Sequence, residues 1–261
     1  MTLMKMNMTS KMINMYEIGV DEAGRGPMIG PLVVAAIAIP EQDIELLKKY
    51  EITDSKKLST KKRNLAYEKI NSLCLERNWK IEITICHPIE IDFAMESTNL
   101  NTLETELFAN TVNKLKIINT KKGKLILDAC DVNEKRFGNR VINLIKKWDQ
   151  GKWTLVSKHR ADETHRIVGA ASIIAKVTRD RIITEIGKKL DIEIGSGYPS
   201  DPKSKSALFE LCKGDLPDEN LRWNWASIRK HWIKTKGSSP PIRNYNKSNT
   251  KIFRQSRLTD Y

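Results

Sequence analysis

Several features of other protein classes are missing from this 261-residue chain. No apolar run approaches the roughly 18 residues that a membrane-spanning helix needs, so a membrane protein is not expected. The four cysteines are scattered, without a C-x-x-C pair or a histidine cluster at zinc spacing. This pattern argues against a zinc site and indicates reduced thiols in a cytoplasmic protein. No combination of Ser, Cys and His suggests nucleophilic catalysis.

Acidic residues are also scarce, because 32 Asp and Glu face 45 Lys and Arg, giving a net charge of +13. Residues 234–261 contain seven basic residues and one acid, and so supply +6 of that charge. A basic body points toward nucleic acid or another polyanion. A lysine-rich solvated surface is the plainer alternative that composition alone leaves open.

The hydrophobic pattern predicts a mixed α/β sheet flanked by helices. Strands are predicted at Tyr16–Asp21, Pro31–Ile39, Lys80–Cys86, Lys124–Asp128 and Thr154–Ser157. Helices are predicted at Ser59–Asn78, Asn99–Ile118, Asn133–Trp148, Glu163–Leu190, Ser204–Lys213 and Leu221–Trp232. From Thr235 the sequence turns to Gly, Ser, Pro, Asn and Lys, a composition typical of disorder.

The most informative segment is Gly19–Pro27, which reads Gly-Val-Asp-Glu-Ala-Gly-Arg-Gly-Pro. Its adjacent carboxylates, Asp21 and Glu22, are hard ligands that suit Mg²⁺ or Mn²⁺. Glycine lets the backbone approach a ligand closely, and an arginine fork suits phosphate. Since neighbouring strand residues face opposite sides of a sheet, the backbone is expected to bend here so that both acids face one metal.

Two further acids stand where functional groups are often found. Asp128 ends an apolar strand, the position at which α/β sheets present such groups. Asp162 opens the long predicted helix, where an ordinary N-cap is the simpler interpretation of this residue taken alone. Asp131 is interpreted as the N-cap of the helix that follows it.

Polar residues on that long helix and a tyrosine loop extend the candidate site. Ser172, Lys176 and Arg179 share one helical face and could hold consecutive phosphates. A charged outer face is the alternative for Arg179 and Arg181. Tyr198 lies in a Gly-Ser-Gly-Tyr-Pro loop, where a fixed aromatic ring can stack on a base or sugar.

Taken together, these motifs resemble type 2 ribonuclease H, and specifically ribonuclease HII of the archaeal kind. The matching segments occur in family order: Gly19–Pro27, Asp54–Ser59, Asn99–Asn101, Leu127–Ala129, Ala161–Asp162, Ala170–Lys176 and Gly195–Pro202. The intact Gly24-Arg25-Gly26 favours this branch over ribonuclease HIII, as does the lack of a substantial extra N-terminal domain. The chain departs from the family in having Arg160 where Lys is commoner, and His165 where Tyr is commoner.

The resemblance implies a ribonuclease H-like five-stranded sheet with a small C-terminal helical extension. It divides the chain into a flexible end (1–13), a catalytic domain (14–203), the extension (204–234) and a disordered basic tail (235–261). The family's four acids map onto Asp21, Glu22, Asp128 and Asp162, which would hold two Mg²⁺ or Mn²⁺ ions during catalysis. A monomer is expected.

The resemblance also implies the substrate, the RNA strand of RNA–DNA hybrids, including single ribonucleotides embedded in duplex DNA. Hydrolysis would occur 5′ to the ribonucleotide and leave a 5′-phosphate and a 3′-hydroxyl. Gly24, Arg25, Gly26 and Tyr198 would recognise the 2′-hydroxyl and the next sugar. Further substrate contacts are expected from four polar residues, which are Lys56, Arg160, Ser172 and Lys176.

The C-terminal tail carries a separate motif. Gln255, Leu258 and Tyr261 match the spacing Gln-x-x-aliphatic-x-x-aromatic, typical of peptides that dock on a PCNA-type sliding clamp. An aliphatic and an aromatic side chain three residues apart form one apolar knob on a helical turn. The usual pattern has two aromatic residues, and this tail has one at that point.

Two other functions compete with a hybrid-cleaving enzyme. A binding-only protein would use the basic charge and treat the acids as structural, but four acids would repel a polyanion unless metal neutralised them. A metal nuclease acting on DNA branches is the second alternative. Gly24-Arg25-Gly26 and Tyr198 argue against it, because they suit recognition of a ribose.

Overall fold

The computed structural model describes residues 15–52 and 55–243, and a five-stranded sheet lies at its centre. The strands are β1 (Met15–Ala23), β2 (Leu32–Pro40), β3 (Lys80–Cys86), β4 (Lys122–Asp128) and β5 (Trp153–Lys158). Their order is β3-β2-β1-β4-β5. β1, β2 and β3 pair antiparallel, while β1–β4 and β4–β5 pair parallel. The predicted mixed five-stranded sheet is confirmed.

Helices cover both faces of the sheet. They are α1 (Glu45–Lys49), α2 (Thr60–Glu76), α3 (Pro88–Ser97), α4 (Leu100–Lys114), α5 (Glu134–Leu144), α6 (Ala161–Thr164), α7 (Arg166–Leu190), α8 (Pro202–Leu211) and α9 (Ala226–Lys236). Short 3₁₀ turns lie at Glu41–Asp43 and Ser55–Lys57. Apolar side chains of α4 and α5 form one core with the sheet, and those of α2 and α7 form another on the opposite face. Because β2 is covered on both faces, all nine of its residues are buried and apolar.

Side-chain caps begin several of these helices. The side chains of Ser59, Asn99 and Asn133 accept hydrogen bonds from the backbone amides of Lys62, Thr102 and Arg136. Each satisfies an amide that lacks a partner within its own helix. The small residues Gly169, Ala170 and Ala171 are buried in α7, which confirms that this helix packs closely against the sheet.

The last two helices form a third apolar cluster with Met28 and Ile29 from the loop between β1 and β2. The fully buried Asp92 of α3 fixes the segment between them. It accepts hydrogen bonds from the backbone amides of Trp223 and Asn224 at 2.9 and 3.0 Å, and one from Arg243 Nη1 at 2.9 Å. The extension is thereby held against the loop that follows the acidic pair.

Several predicted elements were wrong in detail. α1 and α3 were not predicted, and the long helix is interrupted at His165, which separates α6 from α7. The helix predicted at Leu221–Trp232 begins at Ala226, because Leu221 forms an isolated β-bridge with Ile29. The helix predicted to reach Trp148 ends at Leu144.

Within residues 15–52 and 55–243, none of the helices combines the length and apolar character required to cross a lipid bilayer. The domain boundary at residue 203 and the monomeric state stay predictions.

Candidate active site

Three carboxylates from distant parts of the chain meet at one end of the parallel strands. Asp21 lies near the end of β1, Asp128 ends the neighbouring β4, and Asp162 lies in α6. The parallel register pairs Val20 with Leu127, which brings the residues that follow them side by side. One oxygen from each of the three carboxylates lies within 4.8 Å of the others. Asp21 and Asp162 are buried.

Glu22 lies on the other side of β1. The antiparallel pairing continues through Asp21, Glu22 and Ala23 without interruption, so the bend expected at the acidic pair was wrong. The Glu22 carboxylate instead groups with Glu104 and Cys130, with the Cys130 Sγ atom 3.2 Å from Glu22 Oε2. Glu22 is nevertheless close enough to raise the pKa of both Asp21 and Asp128.

The carboxylates of the cluster destabilise one another's charge. Burial, followed by repulsion from Glu22 and Asp128, raises the pKa of Asp21 well above its usual range. Burial and Glu22 also raise the pKa of Asp128 to about 6, although the Ala161 amide opposes this shift by donating to its carboxylate. The Lys56 amine lies 2.9 Å from Asp162 Oδ2 and neutralises part of the charge.

A divalent cation fits this donor set. Asp162 Oδ1 is buried and accepts no hydrogen bond from the residues that the structure describes. A buried carboxylate oxygen without a partner is costly, and a cation is the partner that removes the cost. Carboxylate oxygens are the ligands that Mg²⁺ and Mn²⁺ prefer. Asp162 does not cap a helix, since the residue before α6 is Arg160 and the Asp162 side chain points into the cluster.

Asp131 is separate from the cluster. It pairs with Arg136 Nε at 3.0 Å and accepts the Asn133 amide at 3.3 Å, while Asn133 itself caps α5. The interpretation of Asp131 as the N-cap of α5 was therefore wrong, since Asn133 is the N-cap and Asp131 pairs with Arg136.

Arg25 is oriented by two residues of α4. Its guanidinium pairs with Glu104 and donates to Asn101 Oδ1 at 2.8 Å. Burial and repulsion from Glu22 raise the pKa of Glu104 to about 8, against the opposing charge of Arg25. Glu104 was not among the predicted site residues. It lies three residues after Asn101, which the family motif includes, so its position on the same helical face was the available indication.

The glycine loop (Gly24–Pro31, between β1 and β2) and the tyrosine loop (Gly195–Pro199) lie against each other. Gly24 has a φ of +92°, and a Cβ atom there would lie 2.4 Å from Arg179 Nε and 2.6 Å from the Pro31 carbonyl oxygen. A Cβ atom on Gly26 would lie 3.2 Å from Cε1 of Tyr198. The Tyr198 side chain remains partly exposed, with 38% of its surface accessible. Glycine is thus required at position 24, whereas a Cβ atom at position 26 would need the Tyr198 ring to shift by a few tenths of an ångström.

The remaining predicted contacts occupy different environments. Ser172 is buried and hydrogen-bonds both Asp21 and Ser55, the latter at 2.8 Å between hydroxyl oxygens. Lys176 donates to Asp180 at 2.7 Å. Arg160 is exposed and has left-handed backbone geometry, and its Nε atom lies 3.7 Å from Glu163 Oε1. Arg179 is fully buried, so its interpretation as a phosphate contact at the surface was wrong.

The tail motif belongs to a different part of the chain. Gln255, Leu258 and Tyr261 lie outside the described residues, as does Asp54 of the family motif.

Comparison with known proteins identifies one family. The family model for ribonuclease HII matches residues 18–251. The ribonuclease HII of Methanococcus maripaludis is 45% identical over 216 residues, covering 81% of this chain and 85% of that protein. The crystal structure of ribonuclease H2 from Pyrococcus horikoshii superposes with a TM-score of 0.73 at 37% identity, covering 86% of this chain and 100% of that one.

A second solved structure is the PCNA complex of ribonuclease HII from Archaeoglobus fulgidus. It superposes with a TM-score of 0.68 at 30% identity, covering 90% of this chain and 100% of that one. The chain therefore belongs to the ribonuclease HII family, metal-dependent endoribonucleases that degrade the RNA of RNA–DNA hybrids.

Proposed function

We propose that this chain cleaves RNA–DNA hybrids and also cuts 5′ to a single ribonucleotide embedded in duplex DNA. The products are a 5′-phosphate and a 3′-hydroxyl. The observation that carries the proposal is the position of the glycine loop. It follows directly after the strand that supplies Asp21 to the three-carboxylate cluster, and it lies against the Tyr198 ring.

Asp21, Glu22, Asp128 and Asp162 are proposed to hold two Mg²⁺ or Mn²⁺ ions. Two ions in such a site neutralise the scissile phosphate and generate the nucleophile from water. The raised pKa values of Asp21 and Asp128 and the unpartnered Asp162 oxygen support this assignment, since each reflects negative charge that lacks sufficient compensation. Ser172 holds Asp21 in place by its hydrogen bond.

Recognition of the ribose is assigned to Gly24, Arg25, Gly26 and Tyr198. Backbone amides can donate to a 2′-hydroxyl, the group that distinguishes RNA from DNA. The partly exposed Tyr198 ring beside Gly26 is suited to pack against the adjacent sugar. Lys56, Lys176 and Arg160 supply positive charge for the phosphates that flank the cleavage site. Ser172 is buried and contributes through its hydrogen bond to Asp21.

The test is cleavage of a DNA duplex that contains one ribonucleotide, in Mg²⁺ or Mn²⁺, beside an all-DNA duplex. We expect a single cut 5′ to the ribonucleotide and none in the all-DNA control. Asp128→Asn should lower cleavage by at least about 100-fold, because it removes charge from the carboxylate cluster.

Asp131→Asn is the matched control, since it alters a carboxylate three residues away that is bonded to Arg136 instead. It should retain cleavage close to that of the unaltered chain. Cutting of the all-DNA duplex, or full activity of Asp128→Asn, would refute the proposed function.

A sliding clamp is proposed as a partner through Gln255, Leu258 and Tyr261. The tail matches a clamp-docking peptide, and a relative of similar fold has been solved in complex with PCNA. An aliphatic and an aromatic side chain at this spacing suit an apolar clamp groove. Action in the cytoplasm is part of the same proposal and rests on the family alone.

A further inference from the structure

One arginine of the C-terminal extension hydrogen-bonds the backbone of the glycine loop. Arg222 is completely buried between α8 and α9. Its Nη2, Nη1 and Nε atoms donate to the carbonyl oxygens of Gly24, Arg25 and Gly30 at 2.6, 2.9 and 3.0 Å. Its backbone amide donates to the Met28 carbonyl at 3.0 Å. Four hydrogen bonds from one residue therefore fix the loop that follows β1.

Trp225 adds a hydrogen bond to the next residue of the glycine loop. Its Nε1 atom donates to the Gly26 carbonyl at 3.3 Å, and its ring lies 4.9 Å from the Arg222 guanidinium. The carbonyl groups of three consecutive residues, Gly24, Arg25 and Gly26, are thus bound by the extension. These contacts join positions almost 200 residues apart in sequence.

Peptide geometry determines where the amides of this loop point. In a trans peptide the carbonyl of one residue and the amide of the next point in opposite directions. Because the Gly24 and Arg25 carbonyls point toward Arg222, the amides of Arg25 and Gly26 point away from it. Within the described part of the chain, neither amide donates a hydrogen bond to another protein group. The loop therefore presents two adjacent donors on the side away from the extension.

A second buried arginine fixes the tyrosine loop. Arg179 Nη2 donates to the carbonyl oxygens of Ile29 and Ser196 at 3.2 and 3.0 Å, and its guanidinium lies 5.8 Å from the Tyr198 ring centroid. Arg222 and Arg179 therefore fix the glycine loop and the tyrosine loop relative to each other.

Placing an arginine in this position is costly. Burial, together with repulsion from Arg179, lowers the pKa of Arg222 to about 9. Among the described residues, no carboxylate accepts a hydrogen bond from its guanidinium. A buried cation held by carbonyl groups and an aromatic ring, without a hydrogen-bonded carboxylate, is a poor way to gain stability, so a benefit to the shape of the loop is the better explanation.

We propose that Arg222 and Trp225 are positioning residues for sugar discrimination. By holding the carbonyls of Gly24 and Arg25, Arg222 keeps the amides of Arg25 and Gly26 as a preformed donor pair for the 2′-hydroxyl. Trp225 supports this pair indirectly, because it fixes the Gly26 carbonyl at the end of the Gly24–Gly26 segment and its ring packs on the Arg222 guanidinium. The inference rests on the proposed recognition of ribose by this loop. The C-terminal extension would then contribute to substrate selection by holding the two amide donors in their binding geometry before the substrate arrives.

The experiment uses the full chain and two conservative variants. Trp225→Phe keeps an aromatic ring, although a smaller one, and removes the donor to Gly26, while Arg222→Lys keeps the charge but removes the fork. The measured quantity is kcat/KM for a duplex with one ribonucleotide, divided by kcat/KM for the same duplex with a 2′-fluoro sugar. A 2′-fluoro group is a weak acceptor, so the ratio reports the amide–hydroxyl contacts.

We expect Trp225→Phe to lower the ratio about threefold to fivefold, the effect of one ordinary hydrogen bond. Arg222→Lys should lower it by about tenfold or more, because two or three bonds are lost. Trp223→Phe is the matched control. Its Nε1 atom donates to the Asp218 carbonyl at 3.0 Å, away from the glycine loop, so the ratio should stay unchanged.

The outcomes separate the inference from the proposed function. If the unaltered chain cleaves both sugars equally, recognition of ribose by this loop fails. If it discriminates but Trp225→Phe keeps the full ratio, the inference is overturned while the proposed function stands. A fall in kcat/KM for both sugars alike, with a lower Tm, would identify a merely structural role. The test stays decisive even if Arg222→Lys does not fold, because Trp225→Phe alone distinguishes these outcomes and removes a single hydrogen bond.

Discussion

Removing one acid from the carboxylate cluster should make the metal-free protein more stable. The pKa of Asp128 rises from 3.8 to about 6 in the folded chain, mainly through burial and Glu22. The folded state therefore holds a proton at Asp128 more tightly than the unfolded state. Its stability must fall as the pH rises from about 4 to about 6, and the loss stays constant above that range. Asp128→Asn removes the loss without changing the size of the side chain.

The structure sets the magnitude of this gain. A shift of this size corresponds to about 3 kcal/mol as an upper limit. Asp128 is only half-buried, so solvent screening reduces the value. We expect Asp128→Asn to gain about 1–2 kcal/mol at pH 7.5, which raises Tm by about 2–8 °C in a domain of this size. The Ala161 amide, 3.1 Å from Asp128 Oδ1, can still donate to the amide oxygen of Asn.

The assay is thermal unfolding in a chelator at pH 4, 5, 6 and 7.5. The difference in Tm between the variant and the unaltered chain should grow from pH 4 to pH 6 and then remain level. Mn²⁺ should raise the Tm of the unaltered chain by binding the folded state, and should raise that of the variant less. Asp131→Asn serves as the control and should gain nothing, because Arg136 stabilises its charge. A metal-free Asp128→Asn protein that is less stable than the unaltered chain at pH 7.5 would refute the reasoning.

Two further predictions concern the tyrosine loop and the tail. Gly26→Ala places a Cβ atom 3.2 Å from the Tyr198 ring, so the ring must shift by a few tenths of an ångström. The variant should fold with a Tm within about 4 °C of the unaltered chain but lose about tenfold in kcat/KM. An unchanged kcat/KM would argue against packing of Tyr198 on the substrate. Deleting residues 253–261 should abolish capture by a PCNA-type clamp and leave cleavage of a short oligonucleotide unchanged; clamp capture that survives the deletion would exclude the tail motif as the docking site.

Much of the fold could be predicted from local sequence, whereas the full set of candidate acids came from the family resemblance. Alternating or continuous apolar runs identify strands such as β3 and β2, because side-chain burial repeats every two residues or covers both faces. Asp128 was predicted from its place at the end of an apolar strand. The parallel pairing of β1 with β4 then brings it beside Asp21.

Other features depend on contacts that no local pattern reveals. The break at His165 has neither Gly nor Pro to indicate it, and α3 begins with a proline that is equally common in turns. The orientation of Glu22 follows from strand pairing that continues through Ala23, where the sequence suggested a bend. Arg222 fell within the helix predicted at Leu221–Trp232, and its role could not be predicted because its carbonyl partners lie almost 200 residues earlier.

The central claim is that Asp21, Asp128 and Asp162 form a divalent-cation site beside the glycine loop. Anomalous diffraction from a crystal of the full chain soaked in Mn²⁺ tests it most directly. The account predicts an anomalous peak bounded by these three carboxylates, at about 2.0–2.4 Å from their oxygens. It would be contradicted by the absence of any peak there at saturating Mn²⁺, or by an ion bound only among Glu22, Glu104 and Cys130.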